Sequence, residues 1–302
     1  MDKQSDGPVL VVGATGNLGS LIVKELREVH RDVRAAVRPT SSIQRRSSLE
    51  RLGAVLVDAD LKNVASLEVA CRGVAVVVST ATAIVSRQPG DTLEAVDQNG
   101  QLALVDACAR SGVRHFVFVS VSPGGPDIAF VRAKRGVEHR LASTAMSFTC
   151  LQPAPFMEAW LSPALGFDPA NGVARIFGTG QRPVSWVSAM DVARFALGAV
   201  LNRTRFHNVI LPLGGPEALS QMDAIRIFRE SGAPEVRYEQ VLQAALESQL
   251  REAPGPFEQA MSALCLGIAH GMEVDCQQAL TLLPGRMRSV RDHARDIMRG
   301  RT

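Results

Sequence analysis

Three glycines, Gly13, Gly16 and Gly19, sit in the run Val-Leu-Val-Val-Gly-Ala-Thr-Gly-Asn-Leu-Gly over residues 9–19, where an apolar stretch breaks into a turn. That pattern suits the binding of an anion by backbone. Gly13 permits a tight turn, Gly16 lets a phosphate approach without a Cβ in the way, and Gly19 allows a following helix to pack closely. Amides at the start of that helix lack partners within it and face the anion. The turn residues Thr15, Asn17 and Leu18 are expected to share the contact. The spacing GxxGxxG differs from the more familiar GxGxxG, so its surroundings must carry the reading. They do: Pro8 precedes the apolar run, and Leu18, Leu21, Ile22 and Leu26 form a stripe at helical spacing. The ligand this implies is a dinucleotide pyrophosphate.

The next apolar run, Asp32 to Val37, ends at Arg38, followed by Pro39, Thr40, Ser41 and Ser42. A site selective for NAD usually places a carboxylate here to hold the ribose hydroxyls, whereas Arg38 pairs with a 2′-phosphate. NADP(H) is therefore the expected cofactor. Arg34, Arg45 and Arg46 either add to this positive patch or stand as solvated surface arginines.

These residues need a scaffold of alternating elements. The expected strands are Val9 to Val12, Val33 to Val37, Val55 to Val57, Ala75 to Ser79, His115 to Ser120 and Ser147 to Leu151, each apolar enough to be buried on both faces. Helices are expected between them, beginning near Leu18, Ser41, Ser66, Gln98 and Ile128. This alternation predicts an α/β protein, a Rossmann-type doubly wound parallel sheet with a smaller α/β C-terminal substrate lobe. Residues 1–153 are expected to form the NADP-binding domain, with segments near 184–213 returning to it, and 154–302 mainly the substrate lobe. Further elements are expected at Val173 to Phe177, Val184 to Val187, Asp191 to Leu201, Asn208 to Leu213, Ser220 to Ser231 and Val236 to Val241.

In such sheets ligands lie beyond the carboxyl ends of the strands. Asp58 there is placed to accept from an adenine amino group or to act as a turn or cap residue. Ser79, Thr80, Ala81 and Thr82 are small enough to let the ribose-phosphate backbone pass, with Thr80 as a contact.

The chain has 302 residues, 46% of them hydrophobic, with 33 basic and 30 acidic side chains and a net charge of +3. Such balance gives no electrostatic case for nucleic acid, and a small-molecule partner is expected. Cys71, Cys108, Cys150, Cys265 and Cys276 are scattered, so no metal site is expected and reduced thiols are. The polar amino terminus and the interrupted apolar run at Val74 to Val85 argue for a cytoplasmic protein without membrane association. A homodimer is left open.

The chain resembles the NmrA-like, atypical short-chain dehydrogenase/reductases, a group that includes isoflavone-reductase-like, quinone and triphenylmethane reductases. The resemblance rests on Gly13 to Gly19, Arg38, Asn99-Gly-Gln-Leu-Ala-Leu-Val-Asp-Ala-Cys108, His115 to Ser120, Leu151-Gln-Pro-Ala-Pro-Phe-Met-Glu158 and Trp186-Val-Ser-Ala-Met-Asp-Val-Ala193. It implies an NADPH-dependent reductase acting on an enone, quinone, imine or related electrophile. An NADP(H)-sensing binding protein and a biosynthetic cyclase, isomerase or epimerase share the same scaffold.

In short-chain dehydrogenases a Tyr-x-x-x-Lys pair trades a proton with the substrate. The matching segment here is Phe130-Val-Arg-Ala-Lys134, so the tyrosine is missing. The resemblance gives Lys134 the nicotinamide ribose or the role of acid. It places Ser120 and Ser122 at the catalytic hydroxyl position, where each is equally a turn cap, with Gly124 and Gly125 in the same loop. It also places Phe156, Met157, Trp160, Phe177 and Trp186 around an apolar substrate, or in the core of the second lobe. Asp191 reads as a helix cap, and Cys150 as core.

Overall fold

The computed structural model describes residues 7–84, 88–123 and 127–300; Gly124 and Gly125 lie outside them. Strands β1 (Val9–Val12), β2 (Val33–Val37), β3 (Val55–Asp58), β4 (Val76–Ser79), β5 (His115–Val119) and β6 (Ser147–Pro153) come first. Between them run α1 (Asn17–Glu28), α2 (Ile43–Arg51), α3 (Val64–Cys71), a π-helix (Leu93–Gly100) continuing into α4 (Gln101–Arg110), and α5 (Ala129–Ala142). The chain goes on through α6 (Met157–Trp160), β7 (Phe167–Asp168), β8 (Val173–Phe177), α7 (Ala189–Leu201), β9 (Val209–Leu213), α8 (Gln221–Glu230) and β10 (Arg237–Val241). Helices α9 (Gln243–Arg251), α10 (Pro256–His270), α11 (Gln277–Leu282) and α12 (Val290–Met298) close it.

The large sheet has the order β3-β2-β1-β4-β5-β6-β9, with β1 to β6 paired in parallel. Sequence order reverses between β1 and β4, and a crevice at such a switch point takes ligands in doubly wound sheets. β1, β4 and β5 are buried along their whole length, which their Val- and Phe-rich runs require. β3 departs from the expectation of burial on both faces. It is the edge strand, and Val55 is 67% exposed. The run Val184 to Val187 is not a strand either: Val184 bridges to Leu219 and Met272, and Val187 to Phe156.

Two compact units divide the chain. One comprises residues 1–120, 129–151 and 192–211, and the other 121–128, 152–191 and 212–302. The second unit holds the small sheet β10-β8-β7 and a core of Met157, Leu161, Phe167, Ile176, Trp186, Phe228 and their neighbours. No described helix is long and apolar enough to cross a membrane, and no cluster of metal-ligating side chains occurs among the described residues. Cys71, Cys108 and Cys150 are buried free thiols, and burial pushes the Cys150 thiol well above its ordinary range.

Candidate functional site

In the first unit the glycine turn is a steric necessity. Gly13 has φ +84°, and a Cβ on it would lie 2.6 Å from Thr80 Oγ1 and 2.8 Å from the Ala81 nitrogen. At Gly19 a Cβ would lie 2.1 Å from the Gly13 carbonyl oxygen, so only glycine lets α1 start this close to β1. At Gly16 that oxygen, at 3.3 Å, is the one described atom a Cβ would meet within 4 Å, so this side of the turn is open. Gly16 caps α1 without a side-chain hydrogen bond, and the first turn carries no acidic residue. Its amides and the positive end of its dipole are thus left for an anion. Asn17 is exposed, while Thr80 turns its hydroxyl back to the carbonyls of Val12 and Gly13 at 3.3 and 3.4 Å and braces the turn.

A cavity of about 320 Å³ opens beside this turn, lined by Thr15, Arg38, Thr40, Ser41, Ser42, Arg45 and Gln88. Two guanidinium groups and three hydroxyls from the β2 exit thus meet the turn residue Thr15. Arg38 is held by Asp91, whose buried carboxylate lies 2.7 Å from its Nη1 and 2.5 Å from Lys62 Nζ. The Gln88 N–H donates to the same carboxylate at 3.3 Å. Of the other arginines expected nearby, Arg45 lines the cavity. Arg46 instead pairs with Asp58 at 3.1 Å, and Arg34 donates to the Arg72 carbonyl at 2.6 Å. Asp58 is exposed and outside the cavity lining, with Arg46 as its partner.

Lys134 is buried, 3% exposed, although an isolated buried ammonium is costly. Its counter-charge is Asp97, fully buried, with Oδ1 at 3.2 Å from Nζ. The Phe118 and Phe130 rings lie 5.1 and 5.7 Å from that nitrogen, so the residue standing where the tyrosine would be offers an aromatic face to the cation. Asp97 Oδ2 also accepts the Ala83 N–H at 2.8 Å. One turn on, Gln101 accepts from Ser79 Oγ and donates to the Ala81 carbonyl, both at 2.9 Å. Ser120 is buried at the end of β5, and its Oγ has no hydrogen-bond partner among the described residues. Asp91, Lys62, Asp97 and Gln101 escaped sequence reasoning; the sole signal was that Gln101 lies inside the quoted Asn99 to Cys108 segment.

In the second unit, Ser122 is buried. Met157 and Trp186 are packed into the core, and the Trp186 indole N–H donates to the Leu219 carbonyl at 2.8 Å. Their placement favours the core side of the two roles open to them in the sequence. Phe156 and Trp160 are partly exposed, and Trp160 meets the buried Phe177 edge to face at 6.2 Å. The two family-like segments are stapled together: the Met157 N–H donates to the Val187 carbonyl at 2.9 Å and the Val187 N–H to Pro155 at 3.1 Å. Glu158 caps α7, accepting from Ser188 Oγ at 2.5 Å and from the Ala189 N–H at 3.0 Å. Asp191 accepts the Arg288 N–H at 2.7 Å and so ties down the segment before α12. Loss of the helix cap in Glu158→Ala is expected to cost about 1–2 kcal/mol, read as a lower urea midpoint at unchanged slope. An unchanged midpoint would mean that the cap contributes nothing to stability.

Comparison with known proteins agrees with this fold. A family model described as the NmrA-like family matches residues 5–275. The chain is 28% identical over 241 residues to the photosystem II assembly factor Ycf39 of Synechocystis sp., covering 79% of this chain and 72% of that protein. It is 28% identical over 232 residues to an NAD(P)H azoreductase of Xenophilus azovorans, covering 76% of each. Among solved structures, the triphenylmethane reductase of Citrobacter sp. shares the fold with a TM-score of 0.77 at 19% identity, over 96% of this chain and 99% of that one.

Proposed function

The chain belongs to the NmrA-like family, and from that premise we propose an NADPH-dependent reductase that transfers hydride to a small apolar or aromatic electrophile such as an enone, quinone or imine. The observation that carries this reading is the cavity shared by Thr15, Arg38 and Arg45 beside an open glycine turn. The turn amides hold the pyrophosphate, and the two arginines hold the 2′-phosphate. Lys134 reaches the nicotinamide ribose. Bound NADPH supplies the hydride; the acceptor's electron pair moves onto oxygen or nitrogen and takes a proton. With Phe130 in place of tyrosine that proton does not come from residue 130, which favours acceptors content with water as the acid over simple ketones. The Ser120 hydroxyl, without a hydrogen-bond partner among the described residues, is suited to polarise the acceptor atom. Similarity to an NAD(P)H azoreductase supports the same class.

The test is NADPH oxidation by the full chain across a panel of quinones, enones, imines and azo compounds. Turnover of at least one class is expected; no oxidation of any would overturn the reading. The 28% identity to a photosystem II assembly factor favours a second reading, in which nucleotide occupancy governs docking to a partner. That reading expects clearly different affinities for NADP+ and NADPH, and equal affinities would remove its basis.

A further inference from the structure

We propose that Asp97 is a positioning residue that holds Lys134 as a fixed ammonium and, with Gln101, sets the β4-exit segment beside it. This deepens the reductase reading and rests on its assignment of Lys134 to the nicotinamide ribose. One carboxylate does two things. Its Oδ2 fixes the Ala83 N–H at 2.8 Å, and its Oδ1 lies 3.2 Å from Lys134 Nζ. Gln101, one turn along the same helical run, clamps Ser79 and Ala81, so a single helix face aligns the strand exit and the cation. The π-helix around Asp97 widens the run where this occurs, a local feature often found at functional sites. Leu61 packs closely against the run: a Cβ on Gly100 would lie 2.7 Å from Leu61 Cβ and 2.9 Å from its carbonyl oxygen.

The pair also decides what Lys134 does. Donating its proton would strip the fully buried Asp97 carboxylate of the counter-charge that Lys134 provides, which a protein interior penalises heavily. Lys134 therefore binds as a cation through turnover, and the proton that completes reduction comes from water. The acceptor's π electron pair moves onto its heteroatom as the electrophilic carbon takes up hydride, which bound NADPH would supply, and water protonates that heteroatom and is left as hydroxide.

The sequence makes a direct test possible, because it holds four lysines: Lys3, Lys24, Lys62 and Lys134. In proton NMR of lysine-labelled full chain, the Lys134 ε-methylene is expected to stand apart from the other three, shifted by the Phe118 and Phe130 rings, and Lys134→Met identifies it. In Asp97→Asn this shift should collapse toward the other lysines. NADPH affinity by fluorescence titration should fall about tenfold or more in Asp97→Asn, with KM for NADPH raised more than kcat is lowered. The neutral pair Asp97→Asn with Lys134→Met guards against misfolding of the single variant, and should bind NADPH no more weakly than Lys134→Met alone. A retained Lys134 shift in Asp97→Asn, or a double variant that binds distinctly more weakly than Lys134→Met, overturns the proposal. The NMR result needs no nucleotide, so failure of wild type to bind NADPH would sink the reductase reading separately.

Discussion

Arg38→Ala is expected to lose up to about 100-fold in NADPH affinity while NADH binding stays within a few-fold of wild type, because hydrogen bonds to a charged group contribute about 1.5–3 kcal/mol. The asymmetry between the nucleotides is the informative part. Arg38 lines the cavity with Arg45 and three hydroxyls, a surrounding suited to the 2′-phosphate that NADPH carries and NADH lacks. Asp91 and Lys62 make the outcome sharper. The buried Asp91 carboxylate holds the Arg38 guanidinium at 2.7 Å, so the arginine is already ordered and little rotamer freedom is lost on binding. Lys62 shares that carboxylate at 2.5 Å, so Asp91 does not neutralise Arg38 alone, and Lys62 in turn lies 3.9 Å from Asp60. Arg38→Lys retains the charge but not the planar fork, and should fall between wild type and alanine. Paired fluorescence titrations with NADPH and NADH decide the matter. Equal losses for both nucleotides would show that Arg38 shapes the β2 exit and does not read the phosphate.

What the sequence reveals here follows the range of the interactions. β1 and β2 have the bounds read from their apolar runs, since burial between neighbouring strands leaves one pattern only. β3 was misjudged because Val55, Leu56 and Val57 form an apolar run in a strand that has one neighbour and an exposed outer edge. The helix expected near Gln98 begins at Leu93, where Thr92 caps the π-helix by accepting the Ala95 N–H at 3.0 Å; the wide turn breaks the 3.6-residue period that marks helices. Val184 to Val187 looked like a strand because it is apolar, yet its two ends bridge to different segments.

The site divides in the same way. Gly13, Gly16, Gly19 and Arg38 were legible because local backbone geometry and one strand exit dictate them. Asp91 was not, since it meets Arg38 across 53 positions of sequence and nothing near it in the chain signals a partner. Asp97 was hidden likewise: beside Glu94 in a helical stretch, it reads as solvated until the fold buries it against Lys134. The ion pairs that orient this site are long-range, and the glycine and strand signals that locate it are short-range.

The second large effect is on stability in acid. His115 opens β5 with both ring nitrogens engaged, Nδ1 at 2.6 Å from Ser147 Oγ and Nε2 at 3.1 Å from Thr149 Oγ1. Thr149 gives its own hydrogen to the Phe206 carbonyl at 2.7 Å, so it accepts from Nε2–H. A neutral ring then takes the Ser147 hydrogen on Nδ1, at a shorter distance than the 3.0 Å to the competing Arg114 carbonyl. Burial first, and then the positive charges of Arg203 and His207, push His115 down to about 4 from its ordinary 6.5. The unfolded chain therefore takes up this proton first as the medium acidifies. The stability the neutral ring confers is complete above about pH 6.5 and is lost as pH falls from there toward 4, by about 3 kcal/mol in all. His293, lowered chiefly by burial, pulls in the same direction. Chemical denaturation of wild type and His115→Gln at intervals from pH 7 to pH 4 isolates the His115 share. The glutamine variant, which cannot titrate, should start less stable at pH 7 and lose stability less steeply, so that the two curves approach one another in acid. Parallel curves would mean that His115 keeps its proton balance on unfolding and that the acid sensitivity lies with His293 and the carboxylates.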